Sequence, residues 1–333
     1  MFIGLTGPSC SGKHAIARYL CNTHGYNLLA LENHTHAHCE LYQTAKAFRT
    51  VHELITYVTE RWREKFVICD MGCDGIWELK KRPFFLHVSV EAPLYVRYQR
   101  RLSRDKVDMT LEEFVREDDM AMFHQNGDTS SPLYTVLPHS DVTITNISDN
   151  WKDLVNTIEQ VQLLNPERLR PSWDTYFMHL SDLAARRSNC MKRRVGCILV
   201  KDSRVIATGY NGTPRGLKNC NEGGCKRCND GAPCGTGLDR CLCMHAEENA
   251  LLEAGRGRVD FSSGVVLYCN TCPCLGCAIK IIQQGVKEVV YAKSYGMDEM
   301  TARVFAEANV TLRQHSPLSM RLGMMDASMP DVK

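Results

Sequence analysis

Short apolar runs and amphipathic stretches alternate along the first half of the chain. Residues 2–5 are apolar, a glycine-containing loop follows, and apolar positions then recur at helical spacing through Ala15, Ile16 and Leu20. Later apolar runs of strand length lie at residues 66–69, 84–90 and 142–146. Because strands that alternate with helices form parallel sheets, this pattern predicts a parallel α/β fold for the first half.

A second set of elements follows residues 163–172, where Pro166 and Pro171 stand among charged residues and indicate a linker. Apolar positions at helical spacing restart at Trp173. Strands are predicted at 195–200, 205–209, 265–269, 289–292 and 310–313, and helices beginning near Met244, Pro273 and Asp298. This order predicts a five-stranded mixed sheet with helices on its faces.

The length of 333 residues, 44% of them apolar, favours two domains of ordinary size. We place them at 1–165 and 173–316, with a linker at 166–172 and a C-terminal tail at 317–333. A net charge of +2 provides no overall field that would recruit nucleic acid or an anionic membrane. With neither a signal-peptide pattern nor a stretch of transmembrane length, we expect a soluble protein in the cytoplasm, with the nucleus as a further location.

Cysteine is unusually frequent, and its distribution is uneven. Twelve of the 17 cysteines lie between Cys190 and Cys277. Inside a cell, where disulfides are rare, such a concentration points to metal ligands or buried thiols. We therefore favour metal binding over disulfides in this segment.

The sequence His245-Ala246-Glu247, followed by Pro273-Cys274-Leu275-Gly276-Cys277, carries the clearest chemistry. An H-x-E motif with a later P-C-x-x-C motif provides one imidazole and two thiolates for zinc and leaves a carboxylate unligated. Three protein ligands leave one tetrahedral position open, which distinguishes a catalytic zinc from a structural one. The alternative is a structural zinc knuckle completed by a fourth cysteine such as Cys243.

The expected placement of these groups follows from helix starts. Proline favours the first helical position, so Cys274 and Cys277 are predicted in the first turn of one helix, where thiolates are stabilised. His245 and Glu247 are predicted to open another helix. Glu247 would then take a proton from the attacking water, deliver it to the substrate ring and help the amine leave.

A cysteine-rich insertion precedes His245. It is rich in glycine and poor in apolar residues, so burial alone would not order it, whereas a second, structural zinc would. Cys225 and Cys228 form a sound ligand pair, and Cys190 is a remote candidate. The other ligands stay open among Cys220, Cys225, Cys228, Cys234, Cys241 and Cys243, and free thiols in a mobile loop are the alternative.

Taken together, these motifs resemble the deoxycytidylate deaminases, in particular the longer form with an N-terminal extension. The resemblance spans roughly residues 170–316. It rests on Arg170-Pro171-Ser172-Trp173, Arg187-Ser188-Asn189-Cys190, Lys192-Arg193-Arg194-Val195-Gly196-Cys197, Gly209-Tyr210-Asn211-Gly212-Thr213-Pro214, His245-Ala246-Glu247-Glu248-Asn249-Ala250 and Cys272-Pro273-Cys274.

The resemblance implies a cytidine-deaminase-like fold and the hydrolysis of dCMP to dUMP and ammonia, which supplies thymidylate synthesis. It also implies a homohexamer activated by dCTP and inhibited by dTTP. Asn211 would hydrogen-bond the sugar, and Gly212 and Asn249 would belong to the substrate or effector site. Taken as a bare dipeptide, Asn211-Gly212 favours a simple turn after a strand over a binding role.

The resemblance also bears on the second zinc. It implies ligands at Cys190, Cys220 and Cys243 with one further cysteine, for which we take Cys228. A site confined to the insertion remains the alternative. We expect zinc as the cofactor, with one catalytic and one structural ion, and Mg²⁺ only as a companion of an effector nucleotide.

The N-terminal half carries a phosphate-loop motif. Gly7, Gly12 and Lys13 have the spacing of such a loop, between a predicted strand and a helix, and resemble those of small nucleotide kinases. His14 replaces the serine or threonine that would hold magnesium, so we expect a domain that has lost phosphoryl transfer but could bind phosphate. Asp70 is a candidate for the second metal position.

Two further patterns in this half have structural alternatives. Four arginines share one predicted helix face: Arg97, Arg100, Arg101 and Arg104. They resemble the arginines with which small kinases clamp phosphates, and an exposed basic helix is the alternative. His34, His36 and His38 alternate in a polar stretch that predicts a solvated segment rather than a metal site.

Two other functions compete with the deamination of a free mononucleotide. A deaminase of tRNA or single-stranded DNA bases would use the same zinc site but would need a basic, aromatic groove, which neither charge nor composition suggests. A non-catalytic zinc scaffold with a nucleotide-sensing loop would not need Glu247.

Overall fold

The computed structural model describes residues 1–32, 40–69, 71–106, 108–123, 132–233, 236–255, 257, 264–294, 298–318 and 321–322. Asp70, His34, His36, His38 and Cys234 lie outside these residues. The chain divides into two compact units, one comprising Met1–Arg170 and the chain from Leu318, the other Pro171–Pro317.

The first unit contains a parallel sheet. Its strands are β1 (Phe2–Thr6), β2 (Asn27–Leu31), β3 (Lys46–Phe48), β4 (Phe66–Cys69), β5 (Phe85–Glu91), β6 (Val142–Thr145) and β12 (Arg321–Leu322). Its helices are α1 (Lys13–His24), α2 (Val51–Glu60), α3 (Cys73–Lys80), α4 (Leu94–Asp105), α5 (Leu111–Phe123) and α6 (Trp151–Gln160). The strand order is β12-β6-β5-β1-β4-β2-β3, and every pairing is parallel.

This sheet confirms the predicted parallel α/β fold. The central strand β1 is buried along its whole length because apolar clusters cover both of its faces, one including Ile3 and Leu5 and the other Phe2. The strands β2 and β3 were not predicted. The apolar part of β2 is Leu28-Leu29-Ala30-Leu31, which has no β-branched residue and suits a helix equally well, and β3 has only three residues.

The second unit contains the predicted five-stranded mixed sheet. Its strands are β7 (Gly196–Lys201), β8 (Arg204–Tyr210), β9 (Val266–Thr271), β10 (Glu288–Lys293) and β11 (Thr311–Gln314), and its helices are α7 (Trp173–Ala185), α8 (Lys226–Asn229), α9 (Ala246–Ala254), α10 (Leu275–Gln284) and α11 (Asp298–Glu307). The order is β11-β10-β9-β7-β8. Strand β7 pairs antiparallel with β8 and β9, whereas β9, β10 and β11 run parallel.

Alternating residues of β7 separate the two faces of this sheet. Cys197 and Leu199 belong to an apolar cluster that includes residues of α9 and α10, whereas Ile198 and Val200 pack in another with Phe177 of α7. This period of two is the expected pattern for a strand buried on both faces. The sheet is therefore the middle layer of three in this unit.

The pairing directions decide where the helix starts meet. Strands β8 and β9 both run antiparallel to β7, so their carboxyl ends lie at the same edge of the sheet. Helix α10 follows β9 closely, and α9 follows β8 after the insertion. Residues before α9 and α10 are thereby brought to one place, although about 30 residues separate them in sequence.

Gly209 allows α9 to lie directly on β8. A Cβ atom at this position would stand 2.1 Å from the carbonyl oxygen of Ala246 and 2.5 Å from the backbone nitrogen of Ala250. Such distances are far below van der Waals contact, so any larger residue would push the helix away. The glycine thus sets the position of the helix that carries Glu247.

Candidate metal centre and active site

His245 and Cys274 occupy equivalent positions in the structure, each immediately before a helix. Both have extended backbone conformations and are the N-cap residues of α9 and α10, respectively. Helix α10 begins at Leu275, so Pro273 precedes the cap. The prediction that both thiols lie in the first turn was therefore correct for Cys277 and wrong for Cys274.

The three predicted ligands converge on one point. His245 Nδ1 lies 3.4 Å from Cys274 Sγ and 3.3 Å from Cys277 Sγ. In a tetrahedral zinc site with ordinary bond lengths, a nitrogen and a sulfur ligand are separated by about 3.5 Å. Two thiols and an imidazole are also the donors that zinc prefers, so the site fits this ion.

Among the described residues this ligand group has three members. Closed structural zinc sites have four protein ligands, whereas catalytic sites have three. The count agrees with the expected catalytic site.

The protonation of the two thiols is strongly unequal. Hydrogen bonding from Cys277, with a further contribution from His245, lowers the pKa of Cys274 to about 3. The same interaction with Cys274, together with burial, raises the pKa of Cys277. One thiolate is therefore stabilised at the expense of the other, and a dication between them would stabilise both.

Glu247 lies in the first turn of α9 and is only 4% exposed. It is not part of the ligand group. Burial raises the pKa of its carboxyl group, and the nearby His245 opposes that shift. A carboxyl with a raised pKa can both accept and return a proton near neutral pH.

The next residue, Glu248, has a different environment. Its carboxylate lies 2.7 Å from Lys280 Nζ in a partly exposed ion pair that joins α9 to α10. The two adjacent carboxylates therefore differ in role, one being buried beside the ligands and the other paired near the surface. Of these two carboxylates, Glu247 is the one buried beside His245 and Cys277.

The Asn211 side chain is held by the protein itself. Its Oδ1 accepts hydrogen bonds from Ser188 Oγ at 2.7 Å and the Val195 amide at 2.8 Å, and its Nδ2 donates to the Arg193 carbonyl at 2.8 Å. Within the described residues, these bonds use one of the two amide hydrogens of Nδ2. A contact with the substrate sugar thus stays a prediction, whereas the hydrogen bonds of Asn211 to the Ser188 hydroxyl and to the backbone of Arg193 and Val195 are observed.

Gly212 and Asn249 connect the end of β8 to the start of α9. Gly212 forms an isolated antiparallel bridge with Met244, with backbone hydrogen bonds in both directions at 3.2 and 2.9 Å. Asn249 Nδ2 donates to the Tyr210 carbonyl at 2.9 Å. These contacts fix the backbone on either side of His245. A role of Gly212 and Asn249 in ligand binding stays a prediction.

The structure brings the four predicted structural ligands together. The sulfur atoms of Cys190, Cys220, Cys228 and Cys243 all lie within 4.8 Å of one another. A second group of four also meets this criterion, and it consists of Cys225, Cys228, Cys241 and Cys243. This second group lies wholly within the insertion, so it corresponds to the alternative of a site confined to the insertion, and it includes the predicted pair Cys225 and Cys228.

The phosphate-loop motif forms a tight loop before α1. Gly7 and Gly12 have φ values of 146° and 111°, which favour glycine. Lys13 is buried, and its Nζ donates to the carbonyls of Gly7 at 2.8 Å and Pro8 at 3.0 Å. The lysine therefore closes the loop, and phosphate binding there stays a prediction.

Residues around this loop have partners within the protein. Arg97 is buried and forms a two-pronged ion pair with Asp118, at 2.5 and 2.7 Å. Arg100 pairs with Asp149 at 2.7 Å and donates to the Cys10 carbonyl at 3.3 Å. Helix α4 is thus not a simple exposed basic face.

Comparison with known protein families assigns the class. Residues 171–293 match the family described as the cytidine and deoxycytidylate deaminase zinc-binding region. The fold and the three-ligand site accordingly define a zinc-binding deaminase. Within the described residues, no helix has the length and apolar character needed to cross a membrane.

Curated relatives narrow this class. The chain is 50% identical to deoxycytidylate deaminase of Schizosaccharomyces pombe, over 95% of this chain and 97% of the relative. It is 41% identical to deoxycytidylate deaminase of Saccharomyces cerevisiae, again over 95% and 97%. The chain therefore belongs to the deoxycytidylate deaminase family and is an enzyme.

Among solved structures, similarity extends to the dCMP deaminase of the cyanophage S-TIM5 in its apo form. The two are 28% identical, with a TM-score of 0.34, over 44% of this chain and 99% of the other.

Proposed function

We propose that the protein catalyses the zinc-dependent hydrolytic deamination of dCMP to dUMP and ammonia, which supplies dUMP for thymidylate synthesis. One observation carries the proposal. His245, Cys274 and Cys277 converge at distances that suit zinc, with the buried Glu247 in the first turn of the helix that His245 caps. The names of relatives that align over 95% of the chain support dCMP as the substrate.

The proposed mechanism assigns the proton transfers to Glu247. When bound, the zinc ion supplies Lewis-acid activation of the attacking water. Glu247 takes a proton from that water as its oxygen bonds to C4 of the cytosine, and delivers it to the adjacent ring nitrogen, N3. Glu247 then takes the remaining proton from the C4 hydroxyl and passes it to the exocyclic amino group. The bond between C4 and that amino nitrogen breaks as the C4 carbonyl forms, and ammonia leaves.

The surroundings of Glu247 suit this cycle. Burial raises the pKa of the carboxyl group toward the range where gain and loss of a proton are both favourable. His245 and Glu247 are held by one helix, whose packing on β8 is set by Gly209. The distance between the proton carrier and the reacting carbon would thus depend on rigid elements rather than on a loop.

For substrate recognition, we propose that the remaining amide hydrogen of Asn211 contacts the sugar. Gly212 and Asn249 would line the substrate or effector site, with nearby basic residues serving the phosphate. Asn211 is supported by its place directly after β8 and next to Gly212, which bridges to Met244, the residue before the ligand His245.

A structural zinc is a further part of the proposal. Its ligands would be Cys190, Cys220, Cys228 and Cys243, whose sulfur atoms have the required proximity. Folding free energy of roughly 10 kcal/mol can come from such a site when it is tetrahedral. This contribution would order an insertion that has few apolar residues.

Regulation and assembly are proposed from the family resemblance. The enzyme would be a cytoplasmic homohexamer that dCTP, with Mg²⁺ as its companion, activates and dTTP inhibits. Residues 1–165 would form a kinase-like domain without phosphoryl transfer, in which Gly7, Gly12 and Lys13 bind a nucleotide phosphate. ATP-dependent phosphorylation of a nucleoside monophosphate by the purified protein would contradict this assignment.

One experiment tests the proposed substrate directly. The zinc-loaded protein is incubated with dCMP, CMP, deoxycytidine or a cytosine-containing oligonucleotide, and ammonia release is measured with and without dCTP or dTTP. Turnover is expected with dCMP above all, and dCTP should increase it. Turnover of the oligonucleotide but not of dCMP would overturn the proposal and favour a nucleic-acid base deaminase.

A further inference from the structure

Two cysteine residues belong to both four-sulfur groups of the insertion. Cys228 and Cys243 are shared, whereas Cys190 and Cys220 complete one group and Cys225 and Cys241 the other. We propose that these six cysteines hold two zinc ions, with Cys228 and Cys243 bridging them. This proposal rests on the structural zinc proposed above and adds a second ion to it. It does not depend on the identity of the substrate.

The sulfur separations fit two tetrahedra that share an edge. The shared edge, Cys228 to Cys243, is 3.9 Å. Cys190 lies 3.9 Å from Cys228, and Cys241 lies 3.9 Å from Cys228 and 4.0 Å from Cys225. Zinc–sulfur bonds of about 2.3 Å give a tetrahedral edge of about 3.8 Å. Disulfides are excluded, since they need a separation of about 2.05 Å.

The buried core of the insertion is formed by cysteine side chains. Cys220, Cys225, Cys228 and Cys243 are at most 9% exposed and form a cluster with the partly buried Cys190 and Cys241. Within the described chain, that cluster contains no aliphatic or aromatic residue. Such a small group of thiols provides little hydrophobic stabilisation, whereas metal ions would hold all six in place.

Hydrogen-bond donors point at sulfurs of both groups. The Met191 amide donates to Cys220 Sγ at 3.4 Å, and the Leu242 amide to Cys225 Sγ at 3.4 Å. Donors of this kind stabilise thiolates and orient them toward a metal. One non-bridging sulfur of each proposed zinc ion thus has a backbone donor.

A cationic side chain lies beside the cluster. Arg227 Nη1 is 3.6 Å from Cys241 Sγ. Two zinc ions with six thiolates carry a net charge of −2, so a neighbouring guanidinium is favourable. One zinc ion with four thiolates carries the same net charge, so the charge alone does not distinguish one ion from two. The contact of Arg227 favours the thiolate form of Cys241, which belongs only to the second group.

A single zinc ion would leave two sulfurs without a metal. In the first group it would omit Cys225 and Cys241, and in the second it would omit Cys190 and Cys220. Both groups need Cys228 and Cys243, so two ions fit together only if these two thiolates bridge. The bridged arrangement is the one that uses every sulfur of the cluster.

The cluster is connected to the active site through the chain. Cys243 is followed by Met244, which pairs with Gly212, and then by the ligand His245. Cys190 follows Asn189, whose Oδ1 accepts a hydrogen bond from the Thr213 amide at 3.2 Å. Metal ions in the cluster would therefore hold two backbone segments in place. One leads from Cys243 to the ligand His245, and the other contains Cys190 and Asn189, which is bonded to Thr213.

Metal content tests the proposal. The full-length protein, purified with zinc and freed of loosely bound ions, is analysed by inductively coupled plasma mass spectrometry, and three zinc ions per chain are expected. Cys225→Ser should reduce this number to two or fewer. The matched control Cys21→Ser changes a partly buried thiol of α1 and should retain three.

The alternative metal arrangements predict other numbers of zinc ions per chain. Two ions in the unaltered protein, with no change in Cys225→Ser, would overturn the bridged cluster and leave the single structural zinc. One ion would overturn both. The deamination proposal is judged separately, by ammonia release from dCMP.

A spectroscopic measurement on the unaltered protein does not depend on how a variant folds. X-ray absorption at the zinc edge should show mainly sulfur neighbours and a zinc–zinc distance of roughly 2.7 to 3 Å, because tetrahedra with bonds of about 2.3 Å that share an edge place their centres ~2.7 Å apart and repulsion between the ions lengthens that distance. Absence of the zinc–zinc contribution in protein that holds three ions would overturn the bridging by Cys228 and Cys243.

Discussion

Cys274 Sγ lies 3.4 Å from His245 Nδ1, and each of these residues is the N-cap of a different helix. The N-terminal ends of α9 and α10 thus face one metal position, and the exposed amides of both helices favour thiolate there. Since β8 and β9 end at the same edge of the sheet, the architecture of the unit brings the two caps together.

Replacement of Glu247 by glutamine should abolish proton transfer but preserve the ligands. We expect Glu247→Gln to reduce kcat by ~10²-fold or more while the catalytic zinc stays bound. Ammonia release and zinc content are the measurements. The matched control is Glu248→Gln, because the Glu248 carboxylate pairs with Lys280 near the surface. The turnover of this variant should stay within a few-fold of that of the unaltered enzyme. Unchanged turnover in Glu247→Gln would exclude Glu247 as the proton carrier.

Gly209 should not tolerate alanine. The added methyl group would collide with the backbone of Ala246 and Ala250, so α9 would have to move. We expect Gly209→Ala to destabilise the protein by about 1–3 kcal/mol and to lower turnover. Urea unfolding measures the first effect and ammonia release the second.

Gly72→Ala is the matched control for that substitution. Gly72 has a φ of −59°, and among the described residues beyond its chain neighbours no heavy atom lies within 4 Å of an added Cβ. Its stability should change by less than about 0.5 kcal/mol. Equal stability of the two variants would show that the close approach of α9 to β8 is not a constraint.

The ion pair of Asp174 with Arg313 should make stability depend on pH. Two hydrogen bonds from Arg313, at 2.7 and 2.8 Å, and one from Tyr268 lower the pKa of Asp174. Because the folded pKa is the lower one, the stabilisation is present above the unfolded value of about 3.9 and is lost as pH falls through the folded value.

We therefore expect Asp174→Asn to lower the free energy of unfolding by about 1 kcal/mol at pH 7, a modest value because both partners are partly exposed. The difference from the unaltered protein should shrink near pH 3. Urea unfolding at both pH values measures it. Asp239→Asn, at an exposed position, should have little effect at either pH. A difference for Asp174→Asn that grew on acidification would contradict this reasoning.

Asn211 should prove important for structure as well as for activity. Removal of its amide leaves the Val195 amide and the Arg193 carbonyl without this partner, whereas Ser188 Oγ can still donate to the backbone carbonyl of residue 211. We expect Asn211→Ala to cost about 1–3 kcal/mol and to raise the KM for dCMP. Ser188→Ala removes one of these bonds and should cost less. An unchanged KM in folded Asn211→Ala would remove Asn211 from substrate binding.

Several features could be predicted because they depend on local pattern. The strands of the second unit appear as short apolar runs, and the metal ligands are marked by unusual residues at fixed spacing. The antiparallel and parallel pairings, in contrast, depend on which strands become neighbours. Strand β3 has three residues and β12 two, and such short segments carry too little pattern to be recognised.

The same distinction applies inside the sites. Cys225 and Cys228 could be recognised as a pair from their spacing, but the sharing of Cys228 and Cys243 between two groups could not. Asn211 was expected to face the sugar, yet most of its side chain is used within the protein. An amide side chain looks identical in sequence whether it binds a ligand or the backbone.

The sequence by itself determined the class of chemistry, because His245, Glu247, Cys274 and Cys277 are the donors and the carboxylate that a catalytic zinc requires. Only the tertiary structure decided that two helix caps present the ligands and that six sulfurs form one cluster. Those outcomes depend on contacts between segments about 15 to 50 residues apart, which chain packing sets and local sequence preference does not.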